Sequence, residues 1–561
     1  MHNYLKLTVC FLTLFCVIAC KTKQEEPNSK TVLNKEADKP KIVNIINFIR
    51  DIEPRDEAIT KEVLFETTKS QVEIMREYDL GGTFLLQYDA LMDERYQELL
   101  KGLPVDSFEI GAWWEIPQPL VEKAGLEWRG RFPWDWHPDV GFSTGYTPKE
   151  REQLVDVYME DFKKIFGYYP KSVASWFIDA HTLNYMYEKY DIIASANCKD
   201  QYGTDGYTLW GGYWNQAYYP SKLNSYMPAQ NAENQIPVPI FRMLGSDPIY
   251  QYDTGLEHDR QGVISMEPVY PRSGGSEQWV DWYMKNFVEG EPMQYAYVQV
   301  GQENSFIWKD VKQGFEYQMP LFAKLRDQGK IKVETLAETG AWFKENFKVT
   351  PATSVTVNTD YENGNKKTVW FNSKNYRVNL LWEDNTLRFR DIHLFDESIQ
   401  SSYLEDKLES NQALFFTQPF VDGYLWSTAQ KLAGLRFKQE KNSKIISLKG
   451  EDPIITNPKE GRLEIVWPLQ DDNGTIKMKI DEDKTQITHE GGKSLDWFLE
   501  LTVAKTDDLP FQSIEDHKIE SLYQGKTYTV SALKGKFSKP VADEVFRIYP
   551  EDNVIKLNFK Q

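Results

Sequence analysis

The stretch VNIINFIRDIEPR (43–55) decides the fold. Its first eight residues, VNIINFIR (43–50), read as a buried strand, the pattern of parallel sheets covered by helices. Its charged tail, Arg50-Asp51-Ile52-Glu53-Pro54-Arg55, begins where that strand must end. Working outward, a helical pattern around 57–78 is followed by the strand TFLLQY (83–88), a helix around 90–101 and the strand SFEIGAWWEI (107–116). The segment TPKEREQLVDVYMEDFKKIFG (147–167) predicts the clearest helix, with Thr147 as cap, Pro148 in the first turn and Gly167 as its stop. Strands follow at SVASWFID (172–179), DIIASAN (191–197), VPIFRML (238–244), QYAYVQV (294–300) and KVETL (332–336), with a helix around 312–328 before the last. About eight β/α units over residues 41–350 predict one α/β barrel. From 351 to 561 the pattern becomes short alternating runs between Asn, Asp and Gly turns, which predicts an all-β, sandwich-like C-terminal domain.

The N-terminus adds a second layer. Lys6 and the apolar run Leu7–Ala19 form a signal peptide over 1–19, too short to span a bilayer comfortably. Val17-Ile18-Ala19-Cys20 is similar to a lipobox, which implies cleavage before Cys20 and its lipidation. Residues 20–40 are then a polar tether. The expectation is a bacterial cell-envelope protein, lipid-anchored in the periplasm or on the outer-membrane surface; a homodimer is left open. A formal charge of −19 argues against nucleic acid as a partner. After cleavage and lipidation Cys198 is the one free cysteine, so neither a disulfide nor a cysteine-based metal site is expected.

Aromatic residues make up 14% of the chain. Many fall in polar, Gly- and Pro-rich stretches, WRGRFPWDWHP (128–138) and YGTDGYTLWGGYWNQAYYP (202–220), rather than at core periodicity. Such loop aromatics suit stacking on sugar faces, or they plug loops onto a barrel. The chemistry of an α/β barrel sits at the strand C-termini. Read in order, those ends offer Arg50, Asp51, Glu53 and Arg55; Trp114 and Glu115; Asp179 and His181; Arg242 and Asp247; and Gln302, Glu303 and Asn304. An exported barrel of this kind suggests a metal-dependent polysaccharide deacetylase, and 109–125 and 166–179 look like parts of that family. Its paired histidines would fall at Trp113, Trp114 and Pro117, so no metal and no cofactor are expected.

The order VNIINFIRDIEPR, WFIDAH (176–181) and PIFRML (239–244) resembles glycoside hydrolase family 156, inverting exo-sialidases with a deacetylase-like barrel. The resemblance implies Asp51 and His181 as the catalytic pair, with their acid and base roles undivided. It implies Arg242, with Arg129 as a further candidate, for gripping the carboxylate of a sialic acid, and Asn304 as an amide contact. Trp114 and Asp179 complete the substrate-binding set. A sialoglycan is then the expected partner. A carbohydrate deacetylase and a non-catalytic glycan-binding protein are the alternatives.

Overall fold

The computed structural model describes residues 39–505, 509–539 and 544–561. The expected signal segment and Cys20 lie outside them. The barrel half runs β1 (Lys41–Ile49), α1 (Lys61–Glu77), β2 (Gly82–Leu86), α2 (Tyr88–Leu91), α3 (Glu94–Lys101), β3 (Phe108–Trp113), α4 (Gln118–Lys123), α5 (Pro148–Phe166), β4 (Ser172–Ala174), α6 (Ala180–Tyr190) and β5 (Ala194–Asn197). It continues through β6 (Gln201–Thr204), β7 (Tyr207–Trp210), β8 (Ala217–Tyr218), β9 (Ile240–Arg242), α7 (Glu277–Glu289), β10 (Ala296–Val300), α8 (Trp308–Asp327), β11 (Lys332–Glu334) and α9 (Leu336–Asn346).

The sheet order is β10-β1-β2-β3-β4-β5-β9-β8, with β11 also beside β1; every pairing except β8–β9 is parallel. This is a nearly closed α/β barrel. Its seam lies between the β9–β8 edge and β10, where side chains replace the ladder. Gln299 Oε1 accepts from the Leu244 amide at 2.8 Å, and the Tyr295 hydroxyl accepts from the Ala217 amide at 3.0 Å. β1 is buried along all but its first residue, and the two asparagines in its apolar run, Asn44 and Asn47, are hydrogen-bonded through their side chains. Helix α5 carries the full capping box between Thr147 and Glu150 and ends at Gly167 with φ 87°.

After α9 the chain is antiparallel β. A ten-stranded and an eight-stranded sheet share one core, in which Phe437, Leu499 and Phe546 of the first meet Ile465, Trp467 and Met478 of the second. Sequence periodicity draws a line at 350, but the packing crosses it. Strand Ala413–Phe416 pairs in parallel with β7. Arg377, fully buried in the β region, forms ion pairs with Asp200 and Asp391, and Asp200 also holds Arg242 of the barrel. Residues 39–561 thus form one compact unit. No helix among the described residues is long and apolar enough to cross a membrane.

Candidate active site

At the C-terminal end of β1 the backbone of Arg50 no longer has a strand partner. Asn304 supplies one: its Oδ1 accepts from the Arg50 amide at 3.1 Å and its Nδ2 donates to the Arg50 carbonyl at 2.8 Å. That clamp aims the Arg50 side chain into the barrel mouth, where it is 2% exposed. Its Nη2 donates to Glu303 Oε2 at 2.9 Å and to Glu115 Oε2 at 3.1 Å, and its Nη1 to Glu53 Oε2 at 3.4 Å. Trp134 covers the guanidinium at 4.1 Å from ring centroid to Cζ. Arg55 extends the network by gripping Glu53 with Nε at 2.8 Å and Nη2 at 2.6 Å, and it too lies over Trp134.

The glutamates respond differently to this setting. Burial pushes the Glu53 carboxyl up, but Arg55 and Arg50 outweigh it and leave it below its ordinary value. Glu115 goes the other way. Burial raises it, Glu303 adds to the rise, and Arg50 only partly offsets both, so it stands at about 7. Its Oε1 is buried with no partner at regular hydrogen-bond geometry, and the Trp113 side chain, the one further donor to this carboxyl, slightly opposes the rise. A carboxyl near neutrality with an open oxygen is a group equipped to give and take a proton. It lines a small cavity with Arg50, Arg55, Glu303 and Asp205, walled by the rings of Trp134, Trp136, Phe142, Trp176 and Tyr207.

Residues singled out in the sequence fall in several places. Asp51 does not line this cavity; it follows Arg50 and points the opposite way, toward α1 and α3. There Lys61 hydrogen-bonds it, Arg95 stands 3.8 Å away, and the Asp51 amide donates to Asp89 at 2.8 Å. His181 lies in the first turn of α6 and pairs with Glu152 of α5 at 3.1 Å, in the outer helix layer. The structure therefore does not join Asp51 and His181, which share no partner. Asp179 caps α6 and is held by Ser143, Arg151 and Thr182. Arg242 is buried and outside the cavity lining; it donates to Asp200 at 2.8 Å and to the Cys198 carbonyl at 2.9 Å, and its Nη1 has no hydrogen-bond partner. Arg129 is exposed and donates to the Gly145 carbonyl at 2.6 Å. Trp114 is fully buried edge-on to Tyr158 of α5, and Asn304 is the backbone clamp described above.

Glu115, Glu303, Arg50 and Arg55 were all legible as strand-end residues, and Trp134 and Trp136 as loop aromatics. Asp205 was not singled out. The signal for it is the Asp-Gly pair inside YGTDGYTLW, flanked by strand-forming residues, which marks a two-residue hairpin rather than a loop.

A deacetylase-like barrel implies a divalent metal, and the residues present do not fit one. The converging carboxylates are already centred on a guanidinium, and the cavity lining contains no histidine. No group of three or more His, Cys, Asp or Glu stands at metal-holding spacing among the described residues.

A family model described as a domain of unknown function with a solved structure, DUF3863, matches residues 136–366. No curated protein matches the chain. A solved structure from Parabacteroides distasonis, provisionally assigned as a glycoside hydrolase/deacetylase, superposes with a TM-score of 0.51 at 16% identity, covering 68% of this chain and 91% of that one. Provisionally assigned polysaccharide deacetylases from Mycobacterium smegmatis and Pseudomonas aeruginosa overlap at TM-scores of 0.34 and 0.35, with 10% and 8% identity; each comparison covers 55% of this chain and 92% of theirs. The first of these shows that the fold is shared: this chain is built on the same kind of α/β barrel as that structure.

Proposed function

We propose that the protein is a carbohydrate-active hydrolase that cleaves glycosidic bonds at the Arg50–Glu115–Glu303 cavity, with Glu115 as the proton donor. The observation that carries this reading is Glu115 itself, a buried carboxyl at about 7 with an open oxygen beneath aromatic walls. Burial keeps it protonated near neutral pH, the state in which it can protonate a leaving oxygen. Arg50 neutralises Glu303 and Glu53 and fixes Glu115 Oε2, leaving Oε1 for the substrate. Tryptophan faces beside such a group suit the apolar face of a pyranose ring.

The finer reading, an exo-sialidase, comes from the family resemblance. In this cavity Arg55, one-third exposed, is the group available to a sialic acid carboxylate; Arg242 does not line it. A neutral sugar is the competing reading, favoured by the charge count: Arg50 and Arg55 face Glu53, Glu303 and Asp205, with Glu115 largely uncharged below about 7. Incubation with a panel of sialylated and neutral oligosaccharides, followed by proton NMR, tests all of this. Release of a free sugar is expected, and its first anomer reports the stereochemistry. Release of acetate without any sugar would replace the glycosidase with a deacetylase. Anchoring to the envelope through lipidated Cys20 is part of the same proposal, since it would hold the cavity near extracellular glycans.

A further inference from the structure

Among the carboxylates of the mouth, Asp205 alone arrives on an element outside the parallel barrel. It sits at the tip of the hairpin β6–β7, where Thr204 pairs with Tyr207. Asp205 (φ 45°) and Gly206 (φ 81°) both occupy the left-handed region that a two-residue hairpin loop requires. Aspartate tolerates that region and glycine favours it. The tip is wedged in place. A β-carbon on Gly206 would lie 2.4 Å from the Asn411 carbonyl and 3.0 Å from Pro138, and the Gly206 carbonyl accepts from the Ala413 amide at 2.9 Å. The strand that follows, Ala413–Phe416, then runs parallel along β7. The β region thus holds the hairpin against the barrel and presents Asp205 to the cavity.

We propose that Asp205 is the second carboxylate of the reaction, the base that takes a proton from the attacking water; the assignment rests on the hydrolase reading above. Its side chain lines the same cavity as Glu115. It is 48% exposed, and its nearest cation, Arg55 Nη1, is 3.8 Å away, beyond hydrogen-bond range. Glu303, the rival, is tied to Arg50. Glu303 and Glu115 meet the same Arg50 nitrogen at 2.9 and 3.1 Å, so those two oxygens lie within about 6 Å of each other. Two carboxylates that flank a sugar and a water on opposite faces stand about 6.5–9.5 Å apart. Asp205 enters from outside that ring. Partial burial by the hairpin and the nearby Glu303 raise its carboxyl above the ordinary value, and Arg55 opposes the rise.

The step balances. Water oxygen bonds to the anomeric carbon as its proton passes to Asp205. The bond from that carbon to the aglycone oxygen breaks, and that oxygen takes the proton of Glu115. Asp205 then releases its proton to solvent and Glu115 regains one.

The test compares D205N and E303Q with the parent protein on the glycoside that the parent hydrolyses best and on its activated aryl or fluoride analogue. Asparagine suits the left-handed turn, so D205N keeps the hairpin; an unchanged thermal midpoint verifies it. Water attack limits both substrates, so kcat for D205N is expected to fall at least 100-fold on each, with KM within about threefold. Added azide, which needs no base, is expected to restore turnover of the activated substrate and yield the glycosyl azide. D205N retaining more than half of parental kcat, or azide rescuing E303Q in its place, overturns Asp205 while leaving the hydrolase reading intact. A parent protein that releases no sugar from any substrate overturns both.

Discussion

Arg50 and Asp51 are neighbours in sequence and occupy different worlds in the structure. One faces the barrel mouth and the other faces the helices, and Trp114 and Glu115 divide in the same way. Sequence reading placed all four at strand ends. It could not assign the parity, because the alternation of a strand is known only once its register is. The choice of Asp51 over Glu115 followed from that missing bit. His181, two residues after the cap of α6, reaches across to Glu152 of the neighbouring α5, a long-range contact that its local sequence does not signal. Two outcomes follow at this scale. The Glu115 carboxyl stands at about 7 in the folded protein, above its ordinary value of 4.5. A raised folded value means stability that is fully present below about pH 4.5 and lost as pH rises through 7. In E115Q that loss is removed, so urea unfolding between pH 5 and 8 should show a shallower decline, by up to roughly 3 kcal/mol at the alkaline end. Asn304→Ala should cost about 1–3 kcal/mol, because it leaves the buried Arg50 amide and carbonyl without their partner. The thermal midpoint reads that loss directly.

At the scale of elements, the long α5 was the most legible piece, since its cap, its first-turn proline and its stop are all local signals. The hairpin β6–β7 was the least. Its aromatics dominate the composition of 202–220 and masked the Asp-Gly turn, and its third strand comes from residue 413 onward, far outside any local window. Gly206→Ala tests what that element does. The new methyl would meet the Asn411 carbonyl at 2.4 Å in a backbone conformation that alanine resists. A stability loss of about 1–2 kcal/mol is expected from the left-handed residue alone. Because the displaced tip carries Asp205, kcat should fall by tenfold or more while KM changes little. A Gly206→Ala protein with parental kcat would separate the hairpin from the chemistry.

For the whole molecule, the change of pattern at 350 falls between α9 (Leu336–Asn346) and the first antiparallel strand of the β region, Thr353–Val357. It did not disclose that the two halves share a strand pairing and a buried charge network. Long-range pairs such as Arg377 with Asp200 leave no local trace. A fragment ending at 350 should therefore fail to fold: it would strand Asp200 and Arg242 without Arg377 and leave β7 without its neighbour. Circular dichroism and solubility of that fragment, set beside the chain from 41 onward, check this. Cys20→Ala should release the full protein from the membrane fraction without detergent, and firm retention would refute the lipid anchor. The central claim, glycoside cleavage with Glu115 as acid, is tested most directly by the pH profile of kcat/KM on an unactivated glycan. The account predicts an alkaline limb that falls near pH 7 in the parent protein, where Glu115 loses its proton. In E115Q it predicts activity lower by about 10²–10⁴-fold with that limb gone. An E115Q protein with near-parental activity and the same alkaline limb would contradict it.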